Sequence, residues 1–232
     1  MEHDSRDEIL RKLMHIPGLT FNELWAKDGD SNKFAYHLKV LEQLGLVEKQ
    51  LEKYFLTDNG KAQVAFVDGE TGKRMKQPVT ALLMCVFNNQ GQILMYQRTK
   101  EPFYGYCGFL GGKLKFGEEI LVGAERELKE ETQLSAKFNL AGIMNFLVYV
   151  DGELKYHNLY FIAKGTRPSG VLVGDDREGK YKYVTKEEFL SEKLFPDNKV
   201  ILEYLEKGAF FQLEVRCNQK EGEFLDMNYR LV

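Results

Sequence analysis

Three carboxylates in this chain have the spacing to do chemistry together. Glu127, Glu130 and Glu131 stand at i, i+3 and i+4 within the run ILVGAERELKEET. At about 100° per residue, that spacing puts them on one arc of a helix. The arc adjoins an apolar stripe of Leu121, Ala124 and Leu128 that faces a core. Like charges so placed repel by roughly a few tenths of a kcal/mol per pair on an isolated helix. A hard divalent cation with oxygen ligands converts the repulsion into binding. An ordinary solvated acidic face has the same composition, and Glu125 with Lys129 is an i, i+4 pair of that plain kind. On the carboxylates alone, both readings stand.

The residues before the helix narrow the choice. Gly108, Gly111, Gly112 and Gly117 form a loop able to lie close to a ligand. Glu118 follows Gly112 after five residues, and Arg126-Glu127 follows Glu118 after seven. Leu128, Glu130-Glu131, Gln133 and Leu134 complete the register. This segment resembles the signature of the Nudix hydrolases, with Gln133 in place of the final glycine. Leu110 also stands where many members have proline. The resemblance extends over residues 79–205, where the run YVTKEEF is similar to the family's late strand-to-helix junction. No Gly-x-x-x-x-Gly-Lys-Ser/Thr and no Gly-x-Gly-x-x-Gly occurs, so other phosphate loops are excluded.

The resemblance implies an α+β fold, an α/β/α sandwich with a mixed sheet, and a water attack on a diphosphate. Glu127, Glu130 and Glu131 would hold Mg²⁺ or Mn²⁺, with Glu130 also counted among the catalytic groups. Gly111 and Gly112 would be the phosphate loop. Arg126 would orient a neighbouring glutamate through a bidentate contact, and Glu118 would be a further ligand or a support for one. A carboxylate outside the signature often serves as base. Glu178, Asp175 and Asp176 in GDDREGKY are candidates, Glu178 first, beside the plain reading of a solvated loop. The substrate class that the resemblance implies is a nucleoside diphosphate derivative such as ADP-ribose, a nucleotide sugar or a dinucleoside polyphosphate. The pattern of coenzyme A-cleaving relatives is not reproduced, since Phe103 and Cys107 stand where arginine and glycine are needed. Phe146, Tyr149, Tyr156, Tyr160 and Phe161 have rings to stack on a base, but their strand spacing suits core residues.

These groups need elements to hold them. Residues 79–87 read as a buried strand, 88–91 as a hairpin turn and 92–98 as its partner. A helix runs from about residue 119 to residue 133. Strands follow at 137–150 and 155–163 across Asp151-Gly152, helices at 186–191 and 198–207, and strands at 209–216 and 223–232. Strands on both sides of a central helix, without strict alternation, point to an α+β domain over 79–232.

Upstream the period is helical. Residues 7–15 form one amphipathic helix stopped by Pro17-Gly18, and Thr20 with Glu23 forms a capping box for a second. Ser31 is placed to cap a third helix closed by Gly45, with Phe34, His37, Leu38, Leu41 and Leu44 on its buried side. A short hairpin over 46–56 and a helix opened by residues 57–60 complete the unit. The run AYHLKVLEQLGLVEKQLEKYFLTDNGK resembles a winged helix-turn-helix domain, expected over 1–67, with a linker at 68–78. That resemblance implies DNA contacts through Asn32, Lys33, Tyr36 and Lys39. Nine basic and eleven acidic residues over 1–66 lack the basic footprint of a strong DNA binder. A protein contact, with the chain as a homodimer, therefore stands beside the DNA reading.

The remaining composition excludes several classes. A net charge of -3 over 232 residues argues against a polyanionic partner for the whole molecule. Cys85, Cys107 and Cys217 lack metal-ligand spacing and suit reduced thiols in the cytoplasm. The four histidines are dispersed, the N-terminus is too charged for a signal peptide, and the apolar run 81–87 is too short to span a bilayer. A cytoplasmic hydrolase acting on a nucleotide-type small molecule, with no membrane partner, is the leading expectation. Its rivals are a transcriptional regulator that senses a nucleotide-containing metabolite and an inactive adaptor.

Overall fold

The computed structural model describes residues 2–27, 29–70, 74–173 and 179–232. Its contacts divide the chain into two compact units, Met1–Gln77 and Pro78–Val232. No described helix is long and apolar enough to cross a membrane.

The first unit runs α1 (Glu2–His15), β1 (Leu19–Thr20), α2 (Phe21–Trp25), α3 (Ser31–Gln43), β2 (Val47–Gln50), β3 (Lys53–Leu56) and α4 (Asp58–Val64). The three strands form an antiparallel sheet in the order β1-β3-β2. Thr20 caps α2 in the expected box, accepting from the Glu23 amide while the Glu23 carboxylate accepts from the Thr20 amide at 2.7 Å. Such a cap contributes about 1 kcal/mol. The cap of α3 is Asp30, not Ser31: its carboxylate accepts from the amides of Asn32 and Lys33, leaving Ser31 as the first helical residue. Leu44 is also displaced from the expectation, since α3 ends at Gln43 and Leu44 turns outward at 57% exposure. Ile9, Leu10, Leu13, Leu24, Leu38 and Leu41 form the unit's own core, each burial being worth about 1.5–3 kcal/mol. The stretch beyond α4 folds back onto this unit. Val67 bridges Arg74, and the Arg74 guanidinium donates to Gln63 Oε1 at 2.7 Å.

The second unit holds β4 (Val79–Phe87), β5 (Ile93–Arg98), β6 (Cys107–Gly108), β7 (Leu110–Lys113), α5 (Ile120–Thr132), β8 (Ser135–Val150), β9 (Glu153–Ser169), β10 (Gly179–Val184), α6 (Lys186–Ser191), α7 (Asn198–Lys207), β11 (Phe211–Lys220) and β12 (Glu223–Leu231). Its sheet is mixed, in the order β10-β5-β4-β9-β8-β11-β12, with β4–β9 and β8–β11 parallel and the other pairs antiparallel. Alternation along β4 explains the helices on both faces. Met84 and Val86 pack beneath Ala124 and Leu128 of α5, while Leu83 and Cys85 join Phe189 of α6 and Val200, Ile201 and Leu205 of α7. The result is an α/β/α sandwich.

The expected hairpin of β4 and β5 is corrected by this sheet. The two strands pair only at Phe87–Ile93 and then part. The gap is filled by the glycine-rich segment itself: Cys107 and Gly108 pair with Gln97 and Tyr96, and Leu110–Lys113 pairs with residues 81–84. The loop is thus a pair of short strands whose backbone bonds are satisfied inside the sheet, which fixes its position rigidly.

Candidate active site

β7 delivers the glycines and α5 lies across them. A Cβ on Gly112 would stand 2.5 Å from Cγ of Glu127, so the missing side chain is the space that the glutamate occupies. Gly123 does the same for the helix as a whole. A Cβ there would meet Leu82 and Leu114 at 3.0 Å and the Glu118 carboxylate at 2.9 Å. A glycine inside a helix costs roughly 0.5–1 kcal/mol relative to alanine, and here it permits close approach to the sheet.

Arg126 organises the acidic groups. Its Nε and one terminal nitrogen grip Glu118 at 2.6 and 2.8 Å in a bidentate fork. The other terminal nitrogen donates to Glu127 at 2.8 Å and to Glu130 at 3.1 Å. Arg126 also donates to the Lys113 carbonyl at 3.2 Å, tying α5 to β7. The Arg126 guanidinium, helped by the Lys115 amide, holds the Glu118 carboxyl down to about 2. The same carboxylates push the arginine further up its already high range. Glu131 stands outside this fork and accepts a hydrogen bond from the Tyr181 hydroxyl at 3.1 Å.

Glu127, Glu130 and Glu131 share a cavity of about 630 Å³ with Gly111 and Gly112. Arg98, Lys100, Lys113, Asn158 and Tyr160 complete its polar wall. Glu118 and Arg126 are not part of that wall; the geometry makes them supports for the groups that are. Glu178, Asp175 and Asp176 lie outside the described residues. Arg98 and Lys100 escaped the sequence reading, although a basic pair directly after the apolar run of β5 was its available signal.

A second cavity, of about 470 Å³, adjoins the first and shares Arg98, Gly111, Lys113, Glu131, Asn158 and Tyr160 with it. Its remaining lining is largely aromatic: Phe103, Phe109, Phe146, Tyr156, Phe195 and Phe224. Phe103 stacks on Phe224 with centroids 5.2 Å apart and planes 11° apart. Of the five rings proposed for stacking, Phe146, Tyr156 and Tyr160 face this cavity, while Tyr149 and Phe161 do not. Strand alternation is the reason. Phe146 lies opposite Asn158, Val148 opposite Tyr156 and Met144 opposite Tyr160, which puts that set on one face. Asp197 also lines this cavity, and burial pushes its carboxyl up to about 6. Beside it, Asn198 accepts from the Phe109 amide at 2.7 Å, pinning the start of α7 to the strand break.

Among the described residues, no three histidine, cysteine or carboxylate side chains are drawn together tightly enough to hold a metal. Glu127 and Glu130 accept hydrogen bonds from Arg126, and Glu131 accepts one from Tyr181. In kind the donors fit a hard divalent cation: all are carboxylate oxygens, on one helix face, on one cavity wall.

In the first unit, Asn32, Lys33, Tyr36 and Lys39 all fall on the exposed side of α3, with Tyr36 62% exposed. His37 and Leu38 face the core.

Comparison with known proteins bears on the second unit. The NUDIX domain profile matches residues 76–205. The MutT protein of Bacillus halodurans is similar in structure, with a TM-score of 0.55 at 26% identity over 66% of this chain and 97% of that one. The NUDIX domain of Shewanella oneidensis NrtR, solved with ADP ribose, has a TM-score of 0.52 at 15% identity over 66% of this chain and 99% of that one. At that identity the second likeness concerns the fold alone.

Proposed function

The chain belongs to the Nudix hydrolase family, and from that membership we propose that it is a Mg²⁺- or Mn²⁺-dependent hydrolase cutting the diphosphate linkage of a nucleoside diphosphate derivative. The observation that carries this reading is the pair of adjoining cavities, one polar over the glutamates and one aromatic. A diphosphate joined to a flat base has both characters. Its anionic part suits the wall of Arg98, Lys100 and the Gly111–Gly112 backbone, and its base suits the rings of Phe103, Tyr156 and Phe224.

Glu127, Glu130 and Glu131 would hold the cation, which when bound neutralises diphosphate charge and lowers the pKa of a water. The rest of the work falls to residues of the chain. Gly112 lets the Glu127 carboxylate lie against β7, beside the path of the phosphates. Arg126 keeps Glu127 and Glu130 aligned, and Glu118 keeps Arg126 aligned. Arg98 is itself held by the carbonyls of Glu101 and Pro102, so its charge stays at the junction of the two cavities. The Asp197 carboxyl offers a polar group to the edge of a base. The glutamate expected as general base, Glu178, keeps that role as part of the proposal.

The test is turnover of a panel with Mg²⁺: ADP-ribose, nucleotide sugars and dinucleoside polyphosphates. We expect release of a phosphate-bearing product from at least one class. Glu130→Gln and Glu131→Gln should each lower the rate by about 10- to 100-fold or more. Absence of turnover across the panel, with both variants indistinguishable from wild type, would remove the reading.

For the first unit, the element order and the short β2–β3 hairpin support a winged helix-turn-helix. Its slight acidic excess favours contact between two copies of the chain over contact with DNA phosphates. Sedimentation of the full chain checks this, and a monomer at the highest soluble concentration would count against it.

A further inference from the structure

Of the cavity's glutamates, Glu131 has a distinctive support. It occupies the last turn of α5, where the helix gives way to the Gln133 cap, and Arg126 grips Glu118, Glu127 and Glu130 instead. A glutamate there has several rotamers available, and only some direct its carboxylate to the cavity. Tyr181 of β10 restricts that choice by donating its hydroxyl to Glu131 Oε2 at 3.1 Å. The phenol is itself held in place. Tyr181 lies opposite Tyr96 in the β10–β5 ladder, and the two rings are 5.5 Å apart. The Tyr96 hydroxyl accepts from Arg98 at 3.5 Å, so the pair of rings spans from the acidic helix to the cation at the cavity junction.

We propose that Tyr181 is a positioning residue for Glu131, fixing the direction of that carboxylate as a ligand of the divalent cation, with the Tyr96 ring as its wedge. The proposal rests on the metal-dependent reading above. A fixed donor on a carboxylate narrows the directions that the group can take, and partners of this kind are worth about 10–100-fold in metal affinity. The hydroxyl is a neutral donor, so it orients the glutamate without competing as a cation for its charge.

The experiment is a Mn²⁺ titration of the full chain, following free Mn²⁺ by electron paramagnetic resonance. Tyr181→Phe keeps the ring against Tyr96 and removes only the donor. It should weaken Mn²⁺ binding about 10-fold while leaving the melting temperature in chelator unchanged. The Mg²⁺ concentration for half-maximal turnover should rise by a similar factor, with kcat at saturating metal retained. Glu131→Gln should weaken binding further, and adding Tyr181→Phe to it should change nothing more, because the two act through one contact. Wild-type Mn²⁺ affinity in Tyr181→Phe, together with a loss in Glu131→Gln, would overturn the proposal alone. Unchanged affinity in both would overturn the metal reading on which it rests.

Discussion

Gly112 and Arg126 both act on the Glu127 side chain. A Cβ at Gly112 would take the place of the Glu127 side chain, which is the more yielding of the two because it is flexible. Gly112→Ala should therefore cost about 10-fold or more in metal-dependent turnover while the protein remains folded, as circular dichroism and a rate assay will show together. Arg126 has a separate signature in acid. It holds Glu118 down to about 2 from an ordinary value of 4.5, so the folded-state pKa is depressed. The stability that this pair contributes is complete above about 4.5 and is lost as pH falls through about 2. In Arg126→Gln the glutamate titrates nearer its ordinary value. The gap in melting temperature between wild type and variant should then be widest near neutrality and narrow on acidification across that window.

At the scale of elements, the exit of α5 tests a departure that was visible in the sequence. Gln133 takes the left-handed conformation at φ 60°, with its amide bonded to the Lys129 carbonyl. The helix ends in the shape a glycine would adopt, and the glutamine bears the steric cost, roughly 1–2 kcal/mol. Gln133→Gly should recover about 1 kcal/mol, read as a higher urea midpoint at unchanged slope. The Lys129 ammonium bonds the Gln133 carbonyl at 2.8 Å, a backbone contact that the substitution keeps. The opening of β4 from β5 belongs to the same scale. Asn88 to Gly91 has every feature of a hairpin turn, and the turn does form, with the Asn88 side chain accepting from the Gln90 and Gln92 amides. Local chemistry specified the turn, but the pairing beyond it went to residues 107–113, whose alternation was too short and glycine-rich to read as strand.

The whole molecule consists of two units, each with its own apolar core. Among the described residues, those that line both cavities belong to the second unit. A fragment of residues 78–232 should thus unfold cooperatively and keep turnover within about 2-fold of the full chain. Loss of activity in a folded fragment would mean that the first unit completes the site. The acidic helix with its glycines and arginine was legible in the sequence because helical period and fixed spacing are local properties. Capping at Thr20 was legible for the same reason, as it needs only residues a few places apart. Tertiary structure alone decided which groups join the glutamates across the cavity. Arg98, Tyr181, Asp197 and Phe224 are remote in sequence from residues 127–131, and only the tertiary fold brings them near Glu131 or its cavities. It also decided which rings of β8 and β9 line the second cavity, since that depends on which face of the sheet each strand turns to it. The acidic face of α5 was thus written in its own spacing. Its support from Tyr181, and the room for a substrate beside it, come from contacts that no local pattern encodes.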